Sequence, residues 1–197
     1  MSNNKQTNVV TTPLSTREGQ GGESSVEWHP LRPFLPPNAK VLFLGSFPPP
    51  RHRWCIDFFY PNYINDHWRI EGLVWYGDRN HFVDEANKTF RLPEIIQFCT
   101  EKGLAFYDTA TCVRRLAGNA SDKFLEVVVP TDIHALTAQL PHLQAIAVTG
   151  EKARQTLAAQ TEVPVVRLPS SSRAYPLAIE KKAAAYADLF RSLDMLP

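Results

Sequence analysis

Two segments far apart in the chain carry residue types that suit the binding of a flat polar ligand. The first, Val41–Pro50, is an apolar run that breaks into Gly-Ser-Phe and three prolines, and the aromatic run Phe58–Trp68 follows it. The second, Val165–Pro176, is an apolar run that breaks into three serines, an arginine and a tyrosine. Aromatic faces can stack on a ring while hydroxyl groups hydrogen-bond its polar surroundings. The combination predicts a site for a nucleobase.

The aromatic run contains the candidates for the reaction itself. Asn65 and Asp66 are threaded among rings such as Phe58 and Phe59, although polar groups are costly to bury without partners. This mixture suits a pocket wall in which a ring stacks on a base while an amide or carboxylate holds a water molecule. The alternative is that Asn65 or Asp66 caps the helix that starts near Trp68.

Two further loops hold polar candidates. Arg51 and Arg53 flank a histidine directly after the prolines and could meet phosphates, or they could belong to a solvated loop. Asp108 and Thr109 follow the apolar run Leu104–Tyr107. A carboxylate and a hydroxyl there could hydrogen-bond a base edge, but the same residue types also cap helices.

The serine-rich loop offers contacts to a nucleic-acid backbone. Ser170, Ser171 and Ser172 can bind phosphates through hydroxyl and backbone N–H groups. Arg173 adds charge, and Arg173 or Tyr175 could enter a base stack as a wedge. One alternative is a simple surface turn. Another is a hydrolase nucleophile, although no nucleophile-elbow pattern surrounds these serines.

The elements that must position these loops alternate between strands and helices. Strands are predicted at Val41–Leu44, Leu104–Tyr107, Ala145–Thr149 and Val165–Leu168, and helices at Leu92–Lys102, Thr131–Leu140, Glu151–Ala159 and Leu177–Leu193. This order predicts an α/β fold, a three-layer α/β/α sandwich with a central four-stranded parallel sheet in a single domain. Ligands of such folds bind outside the carboxyl ends of the strands, where all the candidate loops lie.

Composition sets the outer limits. The chain has 197 residues, of which 1–25 are predicted to be a disordered tail and 26–197 the folded domain. Its formal net charge of +1 means that any contact with nucleic acid needs a local basic patch. The three cysteines are too few and too scattered for a disulfide framework or a metal cluster. We expect no metal, no cofactor, no membrane span and a cytoplasmic location.

These residues resemble the uracil-DNA glycosylase superfamily, especially its mismatch-specific and hypoxanthine-DNA glycosylase-like branches. The similarity runs from about Val41 to Phe190. Its three motifs look like Gly45–Pro48, the stretch that ends Asn65–Arg69, and Leu168–Ser172. Most branches place a water-orienting Asn or Asp in the first motif, where this chain has Phe47. The hypoxanthine-type branch relies on an Asn in the second motif, and Asn65 matches it.

The resemblance implies hydrolysis of the bond between a deaminated base, uracil or hypoxanthine, and deoxyribose, without a metal. Asn65 would orient the water, with Asp66 as the alternative. Phe58 or Phe59 would stack on the base and Phe47 would line its pocket.

The remaining candidates would bind the base edge and the DNA. Asp108 or Thr109 would read the base edge, and the serine-rich loop with its Arg and Tyr would grip the DNA. The expected partner is DNA with a damaged or mismatched base, bound by a monomer. The competing hypothesis is a non-catalytic nucleic-acid-binding or nucleotide-sensing protein on the same fold.

Overall fold

The computed structural model describes residues 25–116 and 125–197. The predicted disordered tail, residues 1–25, therefore lies outside the described residues except for Ser25. The strands are β1 (Val26–Trp28), β2 (Val41–Gly45), β3 (Val83–Asp84), β4 (Thr89–Phe90), β5 (Leu104–Asp108), β6 (Ala110–Arg115), β7 (Leu125–Pro130), β8 (Ala145–Val148) and β9 (Val165–Arg167). The helices are α1 (His67–Tyr76), α2 (Leu92–Lys102), α3 (Ile133–Thr137), α4 (Glu151–Ala158) and α5 (Ile179–Ser192), with a 3₁₀ turn at Arg51–Arg53.

The predicted four-stranded parallel sheet is present, with the order β5-β2-β8-β9. Its four strands begin at the predicted residues and end within one residue of the predicted ends. Because all four strands point the same way, their carboxyl ends share one edge of the sheet. The loops after β2 and β9 are two strand spacings apart, about 10 Å.

Both faces of this sheet are buried, as expected for parallel strands with helical crossovers. On one face Phe43 stacks on Phe106 and also contacts Tyr186 and Phe190 of α5. The neighbours of Phe43 along β2, which point to the other face, are also buried. The strands therefore read as continuous apolar runs in the sequence, which is why they could be predicted.

Helix α2 begins and ends as predicted. Pro93 occupies its first turn, and Gly103 takes the left-handed conformation just past its end, with φ of 68°. Helix α3 is shorter than predicted: it covers Ile133–Thr137, whereas the sequence predicted a helix over Thr131–Leu140. Its cap is Asp132, whose side chain accepts a hydrogen bond from the backbone N–H of Ala135.

A second sheet was not predicted. Within the described residues, β1, β6 and β7 form an antiparallel sheet in the order β1-β6-β7. Strand β6 starts only two residues after the end of β5, so the chain enters this sheet without an intervening helix. Strand β1 pairs with β6 directly before a proline-rich segment. This pairing brings the N-terminal segment to the carboxyl edge of the parallel sheet.

In the described part of the chain, no helix combines the length and apolar character that crossing a membrane requires. Among the same residues, no group of three or more His, Cys, Asp or Glu side chains could hold a metal ion.

Candidate functional site

At the carboxyl edge of the parallel sheet, Gly45 and Asp108 are neighbours in register. The Asp108 carboxylate lies over Gly45, so a Cβ added to Gly45 would stand 2.2 Å from Asp108 Oδ1. The backbone carbonyl of Asp108 accepts a hydrogen bond of 2.7 Å from Thr131 Oγ1. The space that the glycine leaves is therefore filled by a carboxylate of the chain itself.

His29, which was not among the predicted site residues, holds this carboxylate. Its Nε2 lies 2.8 Å from Asp108 Oδ2, and its Nδ1 lies 2.8 Å from the carbonyl oxygen and 3.1 Å from the backbone nitrogen of Leu31. Only 1% of the His29 side chain and 11% of the Asp108 side chain are exposed. The pair is nearly dry, which strengthens its hydrogen bond.

Aromatic rings enclose His29. Its ring centroid lies 4.7 Å from that of Tyr107, 5.3 Å from Phe47 and 6.2 Å from Phe59. Two of these rings, Phe47 and Phe59, are predicted base-contacting residues. We call the five residues His29, Phe47, Phe59, Tyr107 and Asp108 the aromatic edge.

Phe58 is 6% exposed, about as buried as Phe59 at 5%. Its ring contacts Phe34, Trp68 and Phe106 at centroid distances of 5.1 to 6.0 Å. It also meets Phe59 edge-on at 5.3 Å. Of the two predicted stacking residues, Phe59 therefore borders the aromatic edge and Phe58 supports it from the core.

Phe47 joins the two sheets. It packs with Ala110 and Val113 of β6 in a small second cluster. The Arg115 guanidinium lies 5.7 Å from the Phe47 ring centroid and donates a hydrogen bond of 2.6 Å to the carbonyl of Pro48. Phe47 is thus fixed by packing and by the Arg115 guanidinium, whose side chain is 8% exposed.

Thr109 is half-buried, and its backbone continues the hydrogen bonding between neighbouring strands. Its N–H donates to the Gly45 carbonyl at 2.8 Å, and its own carbonyl accepts from the N–H of Thr131 at 3.0 Å. These bonds fix the turn that carries Asp108 and Thr109.

Asn65 stands at the start of α1. Its Oδ1 accepts a hydrogen bond of 2.9 Å from the backbone N–H of His67, the first residue of the helix. This bond is a local turn across two residues: the N-cap residue is Asp66, and its side chain makes no capping hydrogen bond. An amide oxygen has two lone pairs, so within the described residues one lone pair and the amino group of Asn65 stay available to a further partner.

Asp66 connects the aromatic run to the serine-rich loop. Its backbone N–H donates to the carbonyl of Ser171 at 3.0 Å. Its carboxylate accepts from Arg173 Nε at 2.9 Å, across 107 residues of sequence. The aromatic run and the serine-rich loop thus meet in space.

Arg173 pairs directly with the Asp66 carboxylate, and two further cations interact with it electrostatically. They are Arg69 and Lys182, which are 5% and 1% exposed. Lys182 Nζ donates a hydrogen bond of 2.8 Å to the carbonyl of Ser172. Burial lowers the pKa of both Lys182 and Arg69; the charge of Arg173 lowers each pKa further, and the charge of Asp66 opposes this.

One acid among three bases leaves a local positive charge beneath the serine-rich loop, although the net charge of the whole chain is only +1. We call Asp66, Arg69, Ser170–Arg173 and Lys182 the cationic cluster.

The serine-rich loop is also held by its own side chains. Ser170 Oγ accepts from the N–H of Ser172, and Ser172 Oγ accepts from the N–H of Ala174, both at 3.2 Å. Ser171 is buried, and Tyr175 is 37% exposed. No hydrogen bond of the described residues joins these serines to a histidine, so the nucleophile alternative has no general base in place.

Arg51 and Arg53 lie on the exposed 3₁₀ turn. Arg51 pairs with Asp57 and lies 4.4 Å over the ring of Trp54. Trp54 Nε1 donates to the carbonyl of Pro49 at 2.7 Å. These arginines flank the prolyl turn and have no described contact with either the aromatic edge or the cationic cluster.

A buried polar pair lies beneath the start of α1. His67 and Glu71 are fully buried, with His67 Nε2 3.7 Å from Glu71 Oε1. Within residues 25–116 and 125–197, both ring nitrogens of His67 and Glu71 Oε1 lack a hydrogen-bond partner, while Glu71 Oε2 accepts from Trp75 Nε1 at 3.0 Å. Burial lowers the pKa of His67 to about 3 and raises that of Glu71 to about 8, which the Trp75 hydrogen bond opposes. Tyr60, which has φ of 49°, stacks on His67 at 3.7 Å.

Sequence reasoning missed three of these residues for different reasons. His29 lies in the proline-rich segment, where nothing local indicates a partner 79 residues away. Lys182 precedes the predicted core residue Tyr186 by four positions, which places both on one helix face. That spacing was a usable signal. Glu71 likewise follows His67 by four positions.

Comparison with known proteins supports the fold. No family model and no curated protein matches the chain. Among solved structures, a match is the solution NMR structure of a "putative Uracil DNA glycosylase" from Methanosarcina acetivorans, with a TM-score of 0.60. The two chains are 20% identical, and the match covers 86% of this chain and 99% of the other. At this identity the likeness establishes a shared fold.

Proposed function

We propose that this chain is a monofunctional DNA glycosylase that hydrolyses the N-glycosidic bond of a flipped-out deaminated base, uracil or hypoxanthine, in base-excision repair. The observation that carries the proposal is the junction of Asp66 with Ser171 and Arg173. It places Asn65 beside a loop with local positive charge. It does so at the carboxyl edge where a ligand of this fold binds.

The DNA-binding part of the proposal rests on charge. Phosphates near the serine-rich loop would meet the cationic cluster, in which Arg173 is 47% exposed on its side chain. Ser170 and Ser172, which are half-buried, would add hydroxyl contacts, whereas the predicted phosphate contact of Ser171 does not fit its burial. Tyr175 would fill the gap left by the extruded base. Arg51 and Arg53 would meet phosphates farther along the strand.

The base would enter at the aromatic edge. Extrusion costs a few kcal/mol, and least at a mismatch or lesion. Phe59 would stack on the base with Phe58 behind it, and Phe47 would line the pocket. Asp108, with Thr109 beside it, would read the polar edge of the base.

The chemical step asks little of acid–base groups. The C1′–N bond breaks with its electron pair leaving on the base, and a water oxygen bonds to C1′ while the proton lost by that water goes to the base. Positive charge develops on the sugar, so a positioned water and a stabilised leaving base lower the barrier. Asn65 would orient the water through its remaining hydrogen-bonding capacity. Asp66 is the alternative, although Arg173 already neutralises its carboxylate.

The test removes Asn65. Asn65→Ala should lower base release from uracil- or hypoxanthine-containing oligonucleotides by about 100-fold or more, the scale expected when an oriented reactant is lost. The lost hydrogen bond to the N–H of His67 should cost about 1 kcal/mol of stability. Asn62→Ala is the matched control, because Asn62 Oδ1 makes a similar local bond to the N–H of Ile64. Base release by Asn65→Ala at the rate of Asn62→Ala would remove Asn65 from the mechanism.

A second candidate is a non-catalytic protein that binds nucleic acid or senses nucleotides. Phe47 favours it, since this apolar, packed residue stands where related enzymes have a water-handling group. Tight binding of uracil-containing DNA by the wild type, with no base released, would support this candidate over the enzyme.

The proposal also includes a monomer in the cytoplasm that works without metal or cofactor. Elution of the purified protein at the size of one chain, with full activity in the presence of a chelator, is the expected result.

A further inference from the structure

His29 lies outside the sequence motifs, but its contact with Asp108 indicates a role for it. We propose that His29 is a positioning residue: it holds Asp108 as a fixed hydrogen-bond acceptor and so makes the site select bases with a ring N–H on the edge that is read. This inference rests on the proposed function, because it names the substrate feature that the same site would recognise.

His29 is rigidly placed. Strand β1 pairs with β6, and the backbone N–H of His29 donates to the carbonyl of Thr111 at 2.8 Å. The ring is 1% exposed and packed among Phe47, Phe59 and Tyr107. An imidazole held on all sides transmits a fixed orientation to its partner.

His29 is not arranged as a general base. One ring nitrogen faces Asp108, and the other lies 2.8 Å from the carbonyl and 3.1 Å from the N–H of Leu31. A carboxylate can only accept hydrogen bonds, so Nε2 is the donor toward it. With both nitrogens engaged and the ring out of water, no lone pair faces the site. The role left to His29 is to hold Asp108.

Asp108 is fixed from two sides. His29 engages Oδ2, and Oδ1 lies against Gly45 where a Cβ would be 2.2 Å away. The carboxylate therefore has one orientation. A carboxylate offers acceptor lone pairs and no donor, and 11% of the Asp108 side chain is exposed.

An acceptor without a donor discriminates between bases. The edge of uracil and of hypoxanthine carries a ring N–H, whereas cytosine and adenine have a bare ring nitrogen at the equivalent place. A ring N–H would bond to Asp108, but a bare nitrogen would set two lone pairs against each other. Sites built to bond a substrate N–H strongly reject analogues that lack it. The pair would thus separate deaminated bases from their parents.

The experiment compares two replacements of His29. His29→Gln keeps an N–H donor near the position of Nε2, and His29→Phe keeps the ring without a donor. Base release is measured on duplexes that carry hypoxanthine, adenine, uracil or cytosine at one position. Thermal unfolding shows that each variant is folded.

We expect His29→Phe to lose about tenfold or more in kcat/KM on hypoxanthine and uracil, the scale of one hydrogen bond to a charged group. His29→Gln should recover most of this loss. Wild-type rates and selectivity in His29→Phe would overturn the inference, as would a His29→Gln no better than His29→Phe. If His29→Phe does not fold, His29→Asn, whose amide is too short to reach Asp108, takes its place.

A binding measurement separates this inference from the proposed reaction. If the wild type releases no base, the proposed reaction fails, and duplex affinities then decide the role of His29. The wild type should bind the hypoxanthine duplex more tightly than the adenine duplex, and His29→Phe should lose that preference. Equal affinities of the wild type for the two duplexes would overturn the inference as well.

Discussion

The aromatic edge and the cationic cluster lie at the same rim of the sheet but are built in opposite ways. The aromatic edge is almost dry, and its one carboxylate is held by a buried imidazole. The cationic cluster gathers three bases around one carboxylate, and its outermost arginine is half exposed. A dry, rigid wall suits a flat base, whereas a partly solvated positive surface suits phosphate.

This difference indicates which part of the proposed function each of the two regions would perform. Under the proposed function, specificity would belong to the aromatic edge, where a misplaced atom has no water to replace a lost hydrogen bond. Affinity for DNA would belong to the cationic cluster, where charge acts over a distance and salt weakens it. Asn65 precedes Asp66 directly, so the candidate water-orienting residue is attached to the cationic side.

The sharpest way to break the aromatic edge is Gly45→Ala. The new methyl would occupy the place of Asp108 Oδ1, so the carboxylate must leave His29. We expect a loss of about 2 to 3 kcal/mol in the free energy of unfolding, typical of overpacking, and loss of base release.

Chemical denaturation measures this effect, with Gly150→Ala as the matched control. A Cβ at Gly150 meets its nearest neighbour at an ordinary 3.8 Å. Adding Asp108→Ala to Gly45→Ala should recover stability without recovering activity. A Gly45→Ala protein as stable as the wild type would contradict the close packing of Asp108 on Gly45.

The buried pair beneath α1 gives the next largest effect, and it belongs to neither region. The raised pKa of Glu71 lowers stability as pH rises from about 4.5 to 8, and the lowered pKa of His67 lowers it as pH falls from 6.5 to 3. The two slopes cancel between pH 4.5 and 6.5, and above 6.5 only the Glu71 contribution remains. The wild type should therefore lose up to about 2 kcal/mol between pH 6.5 and 8 through this residue.

Glu71→Gln should remove that loss, as measured by denaturation at pH 6.5 and 8. The exposed Glu180→Gln is the control and should keep the wild-type slope. Parallel pH curves for the wild type and Glu71→Gln would show that the Glu71 carboxyl is not held protonated.

Substitutions of two adjacent phenylalanines would show where the core ends and the candidate base site begins. Phe58 and Phe59 are 6% and 5% exposed, so Phe58→Leu and Phe59→Leu should each cost about 1 to 2 kcal/mol of stability. Only Phe59→Leu should also raise KM for the damaged duplex, because only Phe59 contacts His29. An equal rise in KM for both variants would place Phe58 in the base site.

The smallest expected effect concerns the cationic cluster. Arg173→Ala should weaken duplex binding several-fold and reduce the slope of log affinity against log salt by about 1. Arg191→Ala, which removes an exposed arginine paired with Asp188 on α5, should leave the slope unchanged. Fluorescence anisotropy over a range of salt concentrations measures both. An unchanged slope in Arg173→Ala would argue against a phosphate contact there.

The sequence could predict the parallel sheet and not the antiparallel one, for a physical reason. Strands buried on both faces are continuous apolar runs, and Pro93 and Gly103 mark the ends of α2. The antiparallel strand β6 follows β5 almost directly, so the expected alternation of strands and helices hid it. Strand β1 buries little of its surface, and its pattern is therefore weak.

The candidate site, like the fold, has one part that the sequence could predict and one part that it could not. The segments that hold Asn65, Asp108 and the serines are recognisable because their polar residues interrupt apolar runs. The contact of His29 with Asp108 spans 79 residues and depends on the second sheet. No local pattern encodes such a contact, since it follows from how two sheets pack.

The most direct test is to incubate the wild-type protein with duplexes that contain a single uracil or hypoxanthine and to detect the released base by mass spectrometry. We predict free base in solution and a strand that stays whole until alkali cleaves it at the abasic position. Intact lesions after many hours, with a protein that is folded and binds the duplex, would contradict glycosylase activity.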